Sequence, residues 1–299
     1  MTDLDAEQHA RAVLEHACAK AGRDATDAEV VRLGENAIFR LTDGVIARVS
    51  RPGQLAAARK EVAVARWLES VDVPAVQVAD QPDQPIDVDG RAVTFWLELP
   101  PHEHGSPVQV AQALRRLHGV VPPSDLDLGP IQPFVRLAER IERASTLAEA
   151  DRDWLRSRLA ELRKRWDDRP GGLPECVVHG DAWVGNVVST ADGRVVFLDL
   201  ERVAIGAPEW DLVHTAIKYR SFGWIGESEY QAFRTAYGHD VTNWSGFELF
   251  RDIREFRMTC MAVQVASENH RAEEQALWRL RCLQGQHGAR PWNGWSALP

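Results

Sequence analysis

The chain has 299 residues, 44% apolar and 26% charged, which is enough for one large domain or two lobes with separate cores. Its 44 acidic against 35 basic side chains leave a net charge of −9, which speaks against a nucleic-acid partner, because phosphate backbones are gripped by clustered Lys and Arg. No apolar run reaches bilayer length and the charged opening "MTDLDAEQHARAVLEHACAK" lacks a secretory-signal pattern, so a cytoplasmic protein without membrane contact is expected. The four cysteines, at 18, 176, 260 and 282, have no CxxC or Cys/His spacing and read as free thiols.

Taken in chain order, residues 6–21 place Ala10, Val13, Leu14 and Ala17 at helical spacing. Three β-type runs follow, "EVVRL" (29–33), "AIFRL" (37–41) and "VIARVS" (45–50), parted by "GEN" and "TDG", which are hairpin-turn chemistry. Residues 54–70 predict an amphipathic helix with Leu55, Ala58, Val62, Ala65 and Leu68 near one face. "VQVAD" (76–80) and "RAVTFWLEL" (91–99) complete an antiparallel set of about five strands. A Pro- and Gly-rich stretch, "LPPHEHGSP" (99–107), reads as a hinge. Beyond it helices are expected at 107–119, 134–146 and 151–168, and several from 209 onward. One β-hairpin interrupts them, where "VVST" and "RVVFLDL" flank Ala-Asp-Gly. The fold class expected is α+β and bilobal, with residues 1–99 as the small sheet-bearing lobe and 100–299 as the larger helical one.

The chemistry concentrates in "VVHGDAWVGNVVSTADGRVVFLDLE" (177–201). Gly180 and Gly185 have the glycine spacing of a phosphate-binding loop, but such a loop needs Lys then Ser or Thr after its second glycine. Asn186 and Val187 stand there instead, so that reading fails. The polar groups suggest something else. Asp181 follows a β-type run, Asn186 offers an amide oxygen, and Asp199 ends "VVFLD" with a carboxylate. Magnesium takes oxygen ligands and is commonly held by one or two protein groups plus substrate phosphates. A base, an amide oxygen and a carboxylate match the parts needed for metal-assisted phosphoryl transfer.

"HGDAWVGN", "FLDLE" and "GAPEWDL" together resemble the aminoglycoside phosphotransferase and choline kinase family, which has a protein-kinase-like fold. Looser similarity runs along nearly the whole chain. The resemblance implies that Asp181 is the catalytic base, or orients the acceptor hydroxyl. It implies that Asn186 and Asp199 hold magnesium against the phosphates of ATP. His179 and Asp211 would support the loop. Gly34 and Asn36 of "LGENAIFRL" would belong to the nucleotide loop, and backbone around Glu98, Leu99 and Pro100 would meet the adenine edge. Aminoglycoside kinases have Lys at the third-strand position held here by Arg48, whose expected partner is Glu61; Arg also occurs there in choline-kinase-like members and can grip phosphate with two hydrogen bonds. The single glycine of the nucleotide loop argues against a protein kinase and fits a small-molecule kinase.

The acceptor is less legible. Glu248, Asp252 and Glu255 fall on one helical face, which would suit a cationic, aminoglycoside-like acceptor, but Arg251, Arg254 and Arg257 interleave them as on a solvated face. Glu201, Glu209 and Glu268 are further carboxylates available to the site. Net acidity also suits a cation by steering, and equally serves solubility. Trp183, Trp210, Tyr219, Phe222 and Trp224 are candidate aromatic walls or packing residues. The expected activity is ATP- and magnesium-dependent phosphorylation of a hydroxyl on a small amino-containing molecule. The alternatives are a housekeeping kinase for an amino alcohol, amino sugar or hydroxy amino acid, and a nucleotide-binding module without catalysis.

Overall fold

The computed structural model describes residues 3–34, 36–81, 83–296 and 298. In chain order the elements are α1 (Asp3–Ala21), β1 (Glu29–Arg32), β2 (Ala37–Arg40), β3 (Val45–Pro52), α2 (Leu55–Ser70), β4 (Ile86–Val88) and β5 (Arg91–Leu97). There follow β6 (His102–His104), α3 (Pro107–His118), α4 (Leu137–Glu142), α5 (Glu149–Asp167), β7 (Cys176–Val178), β8 (Val187–Thr190) and β9 (Val195–Phe197). The last are β10 (Ala204–Gly206), α6 (Glu209–Arg220), α7 (Glu227–Tyr237), α8 (Phe247–Glu268) and α9 (Glu273–Leu283). Two compact units form. The first is Met1–Gly105, Val120–Leu128 and Val184–Val203, and the second is Ser106–Gly119, Gly129–Trp183 and Ala204–Pro299.

The first unit is built on a five-stranded antiparallel sheet in the order β1-β2-β3-β5-β4. Its strands alternate with a period of two, so each contributes to two faces. Phe39, Val45, Ala47, Val49, Val93 and Phe95 join Val13, Leu14 and Ala17 of α1 in one buried core. The intervening residues Ile38, Arg40, Ile46, Arg48 and Trp96 line a cavity. The β2–β3 turn closes with Leu41 N–H donating to Val45 O (2.8 Å).

One strand differs from expectation. "VQVAD" forms only an isolated bridge, Val78 to Trp96, with Ala75 just before it bridging Phe197, and the fifth strand is β4. The reason is that β5 has one edge to share: β4 takes Arg91–Val93, and 77–79 meets only the end near Phe95–Leu97, by two backbone bonds. The expected hairpin is present as β8–β9, but it lies in the first unit, where β6 extends it to a three-stranded sheet. Segment Val120–Leu128 is tied to this unit by Lys60 Nζ, which donates to Leu128 O at 2.8 Å.

The second unit is mainly helical, with β7 and β10 as an antiparallel pair. The helix expected at 134–146 is shorter, α4 covering only Leu137–Glu142. Trp166, Trp210, Trp244 and Phe250 pack edge-on or tilted at centroid separations of 4.8–5.8 Å. Among the described residues no helix is long and apolar enough to cross a membrane. α3 starts with a complete capping box, in which Ser106 Oγ accepts from Gln109 N–H and Gln109 Oε1 accepts from Ser106 N–H, with Pro107 next. Ser106→Ala is expected to lower stability by about 1 kcal/mol, read as a fall in the urea midpoint with unchanged slope.

Candidate active site

In the first unit a cavity of about 330 Å³ collects several of the residues singled out in the sequence. Arg48, Glu61, Glu98, Leu99 and Asp199 line it, beside the apolar Val31, Ile38, Ile46, Val76, Trp96 and Leu198. Arg48 on β3 reaches Glu61 on α2 through two contacts: Nη1 donates to Oε1 at 3.1 Å and Nη2 meets Oε2. Glu61 is almost wholly buried, so its charge depends on that guanidinium. Burial pulls the pKa of Arg48 down, while Asp199 and Glu201 oppose the shift. Glu98 accepts a hydrogen bond from Arg40 Nε at 2.6 Å, and its N–H donates to Gly44 O. Gly34 and Asn36 are not brought to the cavity wall; they lie in the β1–β2 turn, and Glu35 between them falls outside the described residues.

Asn186 precedes β8 and Asp199 follows β9, at the same end of the ladder. Leu198 N–H donates to Asn186 O at 2.9 Å, next to the Val187–Phe197 pair. Asn186 is buried, and Asp199 adopts a left-handed backbone (φ 54°) as the chain leaves β9. Among the described residues no three His, Cys, Asp or Glu side chains cluster as a metal cage. The donors here are one carboxylate on a cavity wall and one amide. Such a pair of hard oxygens fits magnesium shared with substrate phosphates better than a metal held by protein alone.

The second unit holds Asp181. Gly180 has φ +83°, a conformation that favours glycine, and it turns the chain after β7. The turn is fixed from several sides. Asp211 Oδ2 accepts from His179 N–H (2.7 Å), and Oδ1 accepts from Gly180 N–H (2.9 Å). Gly180 O accepts from Trp210 Nε1 (2.9 Å) and from Arg254 Nη2 (3.1 Å). Asp181 N–H donates to His179 Nδ1 at 3.3 Å. Behind them, His118 Nε2 donates to Asp211 Oδ2 at 3.1 Å, and the Tyr237 hydroxyl lies 2.8 Å from His118 Nδ1.

Two residues about this loop, His118 and His214, carried no signal in the sequence, and Arg254, which reads there as part of a solvated helix face, is instead buried beside the loop. His214 Nε2 lies 3.2 Å from Asp181 Oδ1, without hydrogen-bond alignment. Arg254 Nη1 is 3.5 Å from the same oxygen, and its guanidinium stacks 3.9 Å from the Trp210 ring centre. Only the spacing Asp211 to His214, three residues on a helix, could have drawn attention to one of them.

Electrostatics follow from this packing. Burial pushes the Asp181 carboxyl up, but His214 and the charges of Arg254 and Arg257 outweigh it and hold the group well below the usual carboxylate range. Burial and Arg254 push His214 down to about 4, against the opposing pull of Asp181 and Asp211. Asp211 is pushed up by burial and brought lower overall by His118, His179 and Arg254. At neutral pH the loop therefore carries an ionised Asp181 against a neutral imidazole and a buried guanidinium.

The α8 carboxylates Asp252 and Glu255 form neither a cation-binding face nor a solvated one. Asp252 meets Arg158 (3.1 Å) and Arg165 (2.9 Å), and the fully buried Glu255 is clamped by Arg290 (2.8 and 2.5 Å). Glu209 is buried too, with Oε1 accepting from Leu173 N–H at 2.7 Å. Glu248 is exposed, and the side chain of Glu268 lies outside the described residues. Trp210 and Phe222 are packing residues, Phe222 stacking on Trp295, and Tyr219 stacks on Tyr230. Trp183 and Trp224 keep 44% and 41% of their surfaces exposed.

Two outcomes follow from these contacts. Asp211→Ala orphans two buried backbone N–H groups and His118, and it is expected to cost about 3 kcal/mol or more by chemical denaturation. For His214, the unfolded imidazole binds a proton near pH 6.5 and the folded one only near 4. Its contribution is thus present above 6.5 and lost as pH falls toward 4, by about 2 kcal/mol at pH 5. His214→Gln is expected to flatten the fall in urea midpoint between pH 7 and pH 5.

Comparison with known proteins agrees with this architecture. Solved structures with the same fold include a choline/ethanolamine kinase family protein from Mesorhizobium loti, 20% identical, with a TM-score of 0.59, covering 93% of this chain and 94% of that one. An aminoglycoside phosphotransferase from Streptomyces rimosus is 24% identical with a TM-score of 0.60, over 85% of this chain and 98% of that one. A choline kinase from Streptococcus pneumoniae is 16% identical with a TM-score of 0.60, over 92% and 99%. No curated protein sequence gives a significant match. The model of the phosphotransferase enzyme family matches residues 28–250. The fold is protein-kinase-like, and the chain belongs to the phosphotransferase enzyme family.

Proposed function

We propose that the enzyme moves the γ-phosphoryl group of ATP, with magnesium, to a hydroxyl of a small molecule. The observation that carries this reading is the cavity in which paired Arg48 and Glu61, the Glu98–Leu99 segment and Asp199 share one wall. Solved relatives lend support: the choline kinase of Streptococcus pneumoniae has been crystallised with AMP, and the Streptomyces rimosus enzyme with ADP and streptomycin.

Bound ATP would supply the phosphoryl group, and magnesium would neutralise phosphate charge. The remaining work belongs to this chain. Val31, Ile38 and Leu97 give an apolar surface beside Glu98 and Leu99. Arg48 offers a planar pair of donors to phosphate oxygens, and Glu61 keeps that guanidinium from folding away. Asn186 and Asp199 would hold the metal. Asp181 would accept a hydrogen bond from the acceptor hydroxyl and take its proton as the new P–O bond forms and the bond from the γ-phosphorus to the bridging oxygen breaks, ADP leaving with that oxygen. A carboxylate held so far below its usual pKa is a weak proton acceptor, so its main contribution is to aim the hydroxyl. That suits a loose transition state, in which catalysis rests on positioning and charge stabilisation.

Asp252 and Glu255 lend no support to an amine-bearing acceptor, since both are already paired with arginines. A non-catalytic module is the less suitable reading, because Asp181, Asn186 and Asp199 are all present. Asp181→Asn is expected to reduce phosphoryl transfer by about a thousandfold or more with nucleotide affinity preserved, and undiminished turnover would remove Asp181 from its role. Asp199→Ala is expected to abolish the magnesium dependence of nucleotide binding in calorimetry. An unchanged magnesium effect would place the metal elsewhere.

A further inference from the structure

Helix α6 meets the loop after β7 with side chains of its first two turns. Trp210 Nε1 donates to Gly180 O, and Asp211 accepts from the backbone N–H groups of His179 and Gly180. His214 follows Asp211 at i+3, on the same face, and it is the one that reaches Asp181 itself. Its Nε2 lies 3.2 Å from Asp181 Oδ1, and the imidazole keeps only 12% of its side-chain surface exposed. Among the described residues this buried nitrogen makes no aligned hydrogen bond. A buried polar nitrogen without a bond is unfavourable, and in a native structure it calls for a reason.

Charge decides which form of the ring stands there. Asp181 is ionised and can only accept, so a ring nitrogen at this distance must carry a hydrogen. Burial and Arg254 push the ring down to about 4, against the pull of Asp181 and Asp211, so it is neutral and Nδ1 keeps the lone pair. Arg254 approaches the same oxygen from α8. Its Nη2 is bonded to Gly180 O (3.1 Å) and Trp210 O (3.0 Å), and its guanidinium lies on the Trp210 ring. Nη1 stands 3.5 Å from Asp181 Oδ1. A neutral N–H steadies a carboxylate more gently than an ion pair does, and leaves it able to accept from a hydroxyl. Contacts among catalytic groups are often long or misaligned until the reacting complex tightens them.

We propose that His214 is a positioning residue for phosphoryl transfer: its Nε2–H donates to Asp181 Oδ1 and sets the rotation at which the carboxylate meets the acceptor hydroxyl. The inference rests on Asp181 being the group that faces that hydroxyl. His214 acts through Asp181, so removing its donor slows turnover and leaves nucleotide binding as it is.

Two measurements on the full chain test this. Long-range proton–nitrogen NMR spectra locate the ring hydrogen of His214, its signals being those lost in His214→Gln. Expected is hydrogen on Nε2, with a resonance that moves in Asp181→Asn. Hydrogen on Nδ1, or a resonance unmoved in Asp181→Asn, overturns the inference. The second measurement follows ATP consumption with magnesium and choline, ethanolamine, glucosamine, streptomycin or water alone as acceptor. It compares the wild type with His214→Leu and His214→Gln, each checked for folding by its urea midpoint. Expected is kcat lowered about tenfold in His214→Leu and largely recovered in His214→Gln, whose amide nitrogen can replace Nε2, with KM for ATP unchanged. Undiminished kcat in His214→Leu overturns the inference and leaves the phosphotransferase reading standing. Equal loss in both variants also overturns it, because ring shape and not the donor would then be what counts. If the wild type consumes no ATP with any of these acceptors, the phosphotransferase reading and the inference fall together.

Discussion

The buried carboxylate of Asp211 is the interaction on which the second unit is arranged. It takes the backbone N–H groups of His179 and Gly180 on one side and His118 Nε2 on the other. A charge this far from water is stable only if every lone-pair direction is used, and the partners must come from different elements. The loop after β7 supplies two, and the end of α3 supplies the third, backed by Tyr237 at the end of α7. Asp211 itself lies in the first turn of α6, where the helix dipole favours a negative charge. The loop that carries Asp181 is thus not a free turn; its backbone is held by a helix that begins thirty residues later.

Arg254 completes the arrangement from α8. One guanidinium serves Gly180 O, Trp210 O, the face of the Trp210 ring and the carboxylate of Asp181. The aromatic cluster below it explains why so many tryptophans are affordable here: Trp210 is both a packing wall and a donor to Gly180 O. The same economy governs the charges of α8. Its carboxylates are neutralised within the protein, so an acidic residue count overstates the negative charge presented to a substrate.

Much of the first unit was legible because its strands alternate. Residues at even and odd positions of β2 and β3 separate cleanly into the α1-facing core, with Phe39 and Ala47, and the cavity wall, with Ile38 and Arg48. The misreading of "VQVAD" has a plain cause: it is β-type by composition, but β4 already occupies part of the only edge it can reach. Asp181, Asn186 and Asp199 stood out because their loop and hairpin are short and contiguous. His118 and His214 did not, and Arg254 read as a solvated-face residue, because the three reach the loop from three helices whose spacing in sequence says nothing about their convergence.

Local order along the chain therefore determined the elements, the turn at Gly180, the β8–β9 hairpin that sets Asn186 beside Leu198, and the set of oxygen and nitrogen groups available for phosphoryl chemistry. These depend on periodicity and on neighbours a few residues apart. Tertiary structure alone decided which charges are spent and which remain. Asp252 and Glu255 read as a face for a cation or for water, and they are neither because Arg158, Arg165 and Arg290 meet them from other segments. Charge balance is a property of who meets whom in space, because Coulomb interactions and desolvation depend on distance and burial rather than on order along the chain.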